Sequence, residues 1–176
     1  MLAVNVEPVT SPGALSVIYA ALDELARRYG PGADADHLDL DEMTPPRGIF
    51  VVAREDTHVV GGVGVRSILE PEARTGEIKR LWVRPDLRRR GVGAALMQGI
   101  VAAARGIGLR ELYLETGSRQ PEAIAFYGAI GWRSVESLPE GAYSYPHVHR
   151  FYLRTEELLV EPVAREVLER NEDEVG

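Results

Sequence analysis

The apolar positions of the chain change period several times, and each change predicts an element. Ala3 to Pro8 alternates as a short strand, after which Ser11-Pro12 supplies an N-cap and a first-turn proline for a helix running to Tyr29. Its expected buried stripe is Leu15, Ile18, Leu22 and Leu25, and Gly30-Pro31-Gly32 ends it. From there to Arg47 the periodicity is lost in an acidic stretch with Asp34, Asp36, Asp39, Asp41 and Glu42. A stretch that long between elements is more often functional than idle, and it predicts a solvated lid with no more than a helical turn in it. Its acids lack the ligand spacing and the closing glutamate of an EF-hand loop, which argues against calcium.

Gly48 to Arg54 and Val59 to Val65 are β-rich runs joined by Glu55-Asp56-Thr57, a hairpin signal, and the run Glu77 to Val83 continues the antiparallel meander. Beyond Gly91 the period becomes helical, through Val92, Leu96, Ile100 and Ala103. Leu109 to Thr116 is again a strand, and since a helix separates it from its predecessor the two must run parallel. Pro121 opens another helix with Ala123, Phe126, Tyr127 and Ile130 on one face; Gly131 breaks it, and Trp132 to Glu136 with His147 to Leu153 predict a last hairpin. The expected fold is one α/β (α+β) domain over residues 1–154: a mixed, mostly antiparallel sheet of about six or seven strands with helices on both faces, opened at one parallel pair. Residues 155–176 form an acidic extension, helical or disordered, to which no chemistry is assigned.

The junction between the strand ending at Val83 and the next helix carries the strongest chemical signal. A helix N-terminus has a partial positive charge and normally attracts Asp or Ser, yet Arg88, Arg89 and Arg90 crowd this one. An anion at the helix start removes the mismatch: Gly91 and Gly93 let it approach the backbone N–H groups, and the arginines add charge. A Walker loop is excluded because Gly93 is followed by Ala94-Ala95 rather than Lys and Ser or Thr, and position 96 is Leu where a Rossmann fingerprint needs Gly or Ala.

The pattern Arg88-x-x-Gly91-x-Gly93 resembles the pyrophosphate loop of the GNAT superfamily of acyl-CoA-dependent N-acetyltransferases. The segments around it, Glu77-Ile-Lys-Arg-Leu-Trp-Val-Arg-Pro before and Leu114-Glu-Thr-Gly-Ser-Arg-Gln-Pro-Glu-Ala-Ile-Ala-Phe-Tyr-Gly-Ala-Ile-Gly-Trp132 after, are similar to that family in the same order, and the likeness spans residues 3 to 154. It implies that Arg88, Arg89, Arg90, Gly91, Val92, Gly93 and Ala94 hold the phosphates of acetyl-CoA. The backbone of Leu81, Trp82 and Val83 pairs with the pantetheine arm, and a bulge splays that strand from the next one.

An alkyl amine is protonated at neutral pH, so transfer from a thioester needs a base for the amine and an acid for the departing sulfur. The resemblance places Glu77 as the base, acting through water, and Tyr127 as the acid; an ordinary strand-end ion pair of Glu77 with Lys79 or Arg80, and a core role for Tyr127, are the plain alternatives. Glu115 is a second candidate base or an acceptor ligand. Arg47, Arg66, Glu115, Tyr143 and His147 are the expected acceptor-binding set, suited to an amine on a small molecule or a peptide.

His147-x-His149 places two imidazoles on one side of a strand, but no third ligand accompanies them, and no metal is expected. The chain has no cysteine, so acyl transfer goes directly to the acceptor or through another residue, and no Gly-x-Ser-x-Gly elbow supports a hydrolase. The net charge of −7 resides mostly in the tail, where eight acids face Arg165 and Arg170, a balance of −6. The rest is close to neutral, and the basic cluster at Lys79 to Arg90 has no interleaved aromatic pattern for nucleic acid. No leader or apolar run of membrane-spanning length is visible, which leads to the expectation of a cytoplasmic protein without membrane partners. Oligomeric state stays open between monomer and homodimer. The leading reading is a direct-transfer N-acetyltransferase; the competing one is a non-catalytic acyl-CoA-binding module on the same fold.

Overall fold

A computed structural model describes residues 1–33 and 39–159. Seven strands form one sheet in the order β1-β2-β3-β4-β5-β7-β6: Leu2–Val6 (β1), Gly48–Glu55 (β2), His58–Ser67 (β3), Thr75–Val83 (β4), Glu111–Gly117 (β5), Arg133–Val135 (β6) and Val148–Arg154 (β7). All neighbours are antiparallel except β4 and β5, as the intervening helix requires. Helix α1 (Pro12–Tyr29) covers one face, while α2 (Val92–Gly106) and α3 (Pro121–Ala129) pack on the other.

The two cores explain why β2 reads as a continuous apolar run. Ile49, Val51 and Ala53 point into the core under α2, whereas Phe50 and Val52 point into the one under α1, so every residue of the strand interior is buried. Phe50 alone, fully buried, is worth about 1.5–3 kcal/mol in transfer free energy.

Ser11 caps α1 as expected, its hydroxyl accepting from the Ala14 N–H at 3.1 Å. The buried stripe is different from the leucine stripe expected: Ala14, Val17, Ile18 and Ala21 are buried, and Leu15, Leu22 and Leu25 are only partly so. Close approach is the reason. α1 lies over strand positions without side chains, and a Cβ at Gly62 would stand 3.2 Å from Val17 Cγ1, so the small face of the helix goes inward and the leucines flank it.

Two further departures concern the chain after α3. His147 precedes β7 and has φ 57°, so it and His149 do not share a strand face. The packed body also continues past Arg154: Thr155 is buried, its N–H donates to Arg110 O at 2.9 Å, and Leu158 packs on the larger core. The expected boundary after Arg154 therefore falls inside packed chain. Residues 34–38 of the acidic stretch and the tail from 160 lie outside the described residues; what is described of the stretch includes a 3-10 turn at Leu40–Met43 capped by Asp39. Among the described residues no helix is long and apolar enough to cross a membrane.

Candidate active site

The site originates in a failure of strand pairing. β4 and β5 pair only at Thr75, Gly76 and Glu77, opposite Glu111, Leu112 and Tyr113. On its other side β4 carries a bulge: Gly62 faces Trp82 and Gly64 faces Lys79, so three steps of β4 oppose two of β3, and Arg80 takes the left-handed conformation with φ 62°. Beyond Glu77 the two parallel strands separate, and a cavity of about 1020 Å³ opens between them. Ile78 to Val83 line one wall and Glu115 to Gly117 the other.

One end of the cavity is the start of α2. Gly91 is its N-cap with φ 83° and no side-chain cap, Arg89 before it has φ 64°, and Ala95 is the first residue to donate to Gly91 O, at 3.0 Å. The N–H groups ahead of Ala95 are those that helix geometry leaves without acceptors. A Cβ placed on Gly91 would meet nothing within 4 Å, so the space beside this backbone is open. A loop of left-handed residues, an unanswered helix start and open space beside it fit the phosphates of an acyl-CoA. Arg88, Arg89, Gly91, Gly93 and Ala94 line the cavity. Arg90 is exposed outside it, and the Val92 side chain is buried in the core, so only the Val92 backbone could serve a ligand. Arg88 is already engaged: Nε donates to Val83 O at 3.0 Å and Nη1 to Glu24 Oε1 at 3.2 Å, with Nη2 on Glu24 Oε2.

Tyr127 lies midway, 7% exposed, with its ring 5.3 Å from Phe126 and 5.5 Å from Phe151 and its side chain in the cavity wall. Burial pushes its phenol well above the ordinary tyrosine range, so it stays protonated across neutral pH.

Toward the other end lie two charge clusters, one on β3 and β4 behind the cavity wall and one on β5 and β7 that reaches the wall at Glu115. Arg66 on β3 donates Nε (3.0 Å) and Nη2 (2.9 Å) to Glu77 Oε2 on β4 and pairs through Nη1 with Glu42. Burial works against the Arg66 charge, but Glu77 and Glu42 together more than offset it. Lys79 Nζ stands 3.7 Å from Glu77 Oε1 and 5.3 Å from the centre of the Tyr145 ring. Glu115 on β5 accepts from Arg150 Nε of β7 at 3.0 Å, from the Tyr145 N–H at 3.1 Å and from the Ser144 hydroxyl.

Of the residues singled out in the sequence, Leu81, Trp82, Val83, Arg88, Arg89, Gly91, Gly93, Ala94, Glu115, Tyr127 and His147 meet at this cavity. Glu77 is 1% exposed and lies behind the wall, and Arg66, Arg47 and Tyr143 also stand outside it, Arg47 and Tyr143 on the surface. Sequence reasoning missed Glu24 and Tyr29 of α1 and Arg119 and Glu122 after β5, all of which line the cavity, and it took Lys79 as an ion-pair partner and the start of a basic cluster rather than as a wall residue. A charged triplet, Glu77, Lys79 and Arg80, inside an apolar strand was the available signal for Lys79; Glu24 and Arg28, four apart on one helix face, were another. Among the described residues no three His, Asp or Glu side chains converge as metal ligands.

The chain matches the acetyltransferase (GNAT) family over residues 18–132, and it belongs to that family. It is therefore an acyltransferase with the fold that uses acyl-CoA. It is 37% identical over 114 residues to an IAA acetyltransferase of Azospirillum brasilense, covering 63% of this chain and 73% of that protein. It is 27% identical over 127 residues to the N-acetyltransferase YjgM of Escherichia coli, covering 68% and 76%. The crystal structure of a Klebsiella pneumoniae protein named as an acyl-CoA N-acyltransferase superposes with a TM-score of 0.69 at 26% identity, covering 88% of this chain and 98% of that one.

Proposed function

We propose that the protein moves an acetyl group from acetyl-CoA to an amine of a small molecule or peptide in a ternary complex. The observation that supports this best is the single cavity that joins an anion-seeking helix start, a protonated buried tyrosine and a wall glutamate between separated parallel strands. The β4 backbone beyond Glu77, left without a β5 partner, is available to pair with the pantetheine arm through Leu81, Trp82 and Val83. A strand N–H there would also polarise the thioester carbonyl.

In the reaction the amine nitrogen forms a bond to the acyl carbon, the C–S bond breaks, one proton leaves the nitrogen and one reaches the sulfur. Tyr127 supplies the hydrogen bond or proton to the sulfur. Its raised pKa suits the first of these: the phenol stabilises the departing thiolate without giving up its proton, and the sulfur takes its proton from water. Glu77 removes the amine proton through water: Arg66 occupies its Oε2, and Lys79 stands farther off, 3.7 Å from Oε1. Glu115 meets the acceptor directly. Its place in the wall also favours a second reading, in which Glu115 itself is the base.

Thiol release from acetyl-CoA against amines, polyamines, amino acids and peptide N-termini tests the reaction. With an acceptor found, Glu77→Gln lowers the single-turnover rate by about 100-fold or more and recovers part of it as pH rises, because the amine then sheds its own proton. A larger loss in Glu115→Gln with the same recovery assigns the base to Glu115. Tight CoA binding with no turnover on any amine moves the non-catalytic module ahead.

A further inference from the structure

The last two turns of α1 fasten together the two lips of the cavity. At one lip Glu24 holds both terminal nitrogens of Arg88. Glu24 also accepts from Arg28 Nη2 at 2.9 Å, and Arg28 reaches the other lip, pairing with Glu122 at the start of α3 and donating Nη1 to Arg119 O at 3.1 Å. Arg119 returns its Nη1 to Arg28 O at 2.9 Å and its N–H to the Tyr29 hydroxyl at 3.1 Å. The result is one chain of alternating charge, Arg88, Glu24, Arg28, Glu122, that runs from the α2 cradle to α3. Glu24 is ionised at neutral pH: burial raises its pKa, and Arg88 and then Arg28 outweigh that and hold it below the usual carboxylate range.

Of the three arginines before Gly91, Arg88 is the one whose guanidinium also reaches the Val83 carbonyl at the end of the open strand, and it faces a carboxylate in the geometry it would offer a phosphate. A pyrophosphate at the α2 start and the Glu24 carboxylate would be like charges beside one guanidinium in a half-buried setting, and they repel. We infer that Glu24 is an internal stand-in for the phosphate, occupying Arg88 until acyl-CoA arrives and exchanging it for the pyrophosphate on binding. Glu24 has a second partner, Arg28, to retain after the exchange, and Arg88 keeps its Val83 contact, so neither group is stranded. The exchange releases α1 from the cradle lip and so couples cofactor binding to the helix whose Ala21, Leu25 and Tyr29 line the cavity. This rests on the acyl-CoA reading.

Titration calorimetry with CoA on the full chain tests it. Glu24→Gln, which preserves shape and keeps a carbonyl oxygen for Arg28, should tighten CoA binding by about 5- to 30-fold, the scale expected for removing one like charge at this range. In an Arg88→Ala background the same substitution should change affinity by less than about twofold, because the contested group is gone. Glu7→Gln, the same charge change at the far end of α1, should leave CoA affinity unaltered. Unchanged or weaker binding in Glu24→Gln overturns the proposal and makes Glu24 a support that aligns Arg88. An equal gain in the Arg88→Ala background, or in Glu7→Gln, also overturns it, since a general charge effect then suffices. Wild-type protein that binds no CoA would defeat the acyl-CoA reading itself, and this inference with it.

Discussion

The two ends of the cavity are built from different materials. At the α2 end the recognition elements belong to the backbone: left-handed Arg89 and Gly91, and the N–H groups of a helix start. At the other end the cavity is lined by side chains, Lys79, Glu115 and Tyr145 among them, and these are held by charges outside it: Arg150 and Ser144 on Glu115, and Glu77, itself paired with Arg66, beside Lys79. A backbone cradle recognises what every acyl-CoA shares, a pyrophosphate. A side-chain lining can be altered one residue at a time without moving the strands, which suits the end that must distinguish acceptors. Rigidity follows the same division. The side-chain end is held by buried charges that depend on each other, so it is the end where a single substitution should cost the most.

That dependence gives the largest expected effect. Arg66→Met takes the two hydrogen bonds from Glu77 Oε2 and leaves that 1% exposed carboxylate facing Lys79 at 3.7 Å, and breaking a buried pair in this way costs up to about 3–5 kcal/mol. Urea unfolding measures it, and the double variant Arg66→Met with Glu77→Gln should regain more than half of the loss. A cost under about 1 kcal/mol would mean that Lys79 alone keeps Glu77 satisfied.

The next effect lies where the two ends meet. Tyr127→Phe keeps a ring of the same size among Phe126, Trp132 and Phe151, so fold and CoA affinity should be retained. The chemical step should slow by about 10- to 1,000-fold, measured in single turnover. A change smaller than about twofold would return Tyr127 to the role of a core residue.

These differences also decide how much could be read from the chain. Features with a local signal were legible: the Ser11-Pro12 start of α1, the hairpin at residues 55–57, and the start of α2 at Gly91, which has no side-chain cap. The parallel β4–β5 pair followed from connectivity. Long-range pairing was not legible. Nothing in the spacing of Arg66, Glu77, Glu115 and Arg150 states that strand order pairs the first two and the last two, and Arg66 was expected to meet an acceptor when it serves Glu77 and Glu42 instead. The α1 stripe was misplaced for a related reason. Leucine spacing reports which residues could be buried, while Gly62 beneath the helix selects the alanine and valine face that is. The spacing of Glu24 and Arg28 was legible as a helix-face pair, but the contact of Glu24 with Arg88, 64 residues on, was not.

A smaller effect tests the backbone character of the cradle. Gly91→Ala forces a side chain into a conformation with φ 83°, which costs about 1–2 kcal/mol and is felt where the helix starts. Because a Cβ there meets nothing within 4 Å, the fold should survive while CoA affinity falls by roughly tenfold, as calorimetry would read. If affinity is unaltered, the arginine side chains rather than the loop conformation carry the phosphate, and the contrast between the two ends disappears.

The smallest expected effect separates anchoring from exchange along α1. Glu7, just before the helix, is held below the usual carboxylate range chiefly by Arg54, against the opposing effect of burial and with help from the Ser11 hydroxyl; its Oε1 lies 2.9 Å from Arg54 Nε. Glu24, near the other end, is also depressed. A carboxylate with a lowered folded pKa contributes stability that is present above its unfolded value, about 4.3, and is lost as pH falls through the folded value. Glu7→Gln should therefore lower unfolding free energy at pH 7 by about 1 kcal/mol and flatten the acid limb of the stability profile. Glu24→Gln should flatten the same limb. Only the Glu24 variant should also change CoA affinity at neutral pH, because only that carboxylate shares its arginine with the cradle. Equal acid limbs with unequal binding would show that two ion pairs of similar electrostatic character serve different ends, one fastening the helix to β2 and the other holding a place for the ligand.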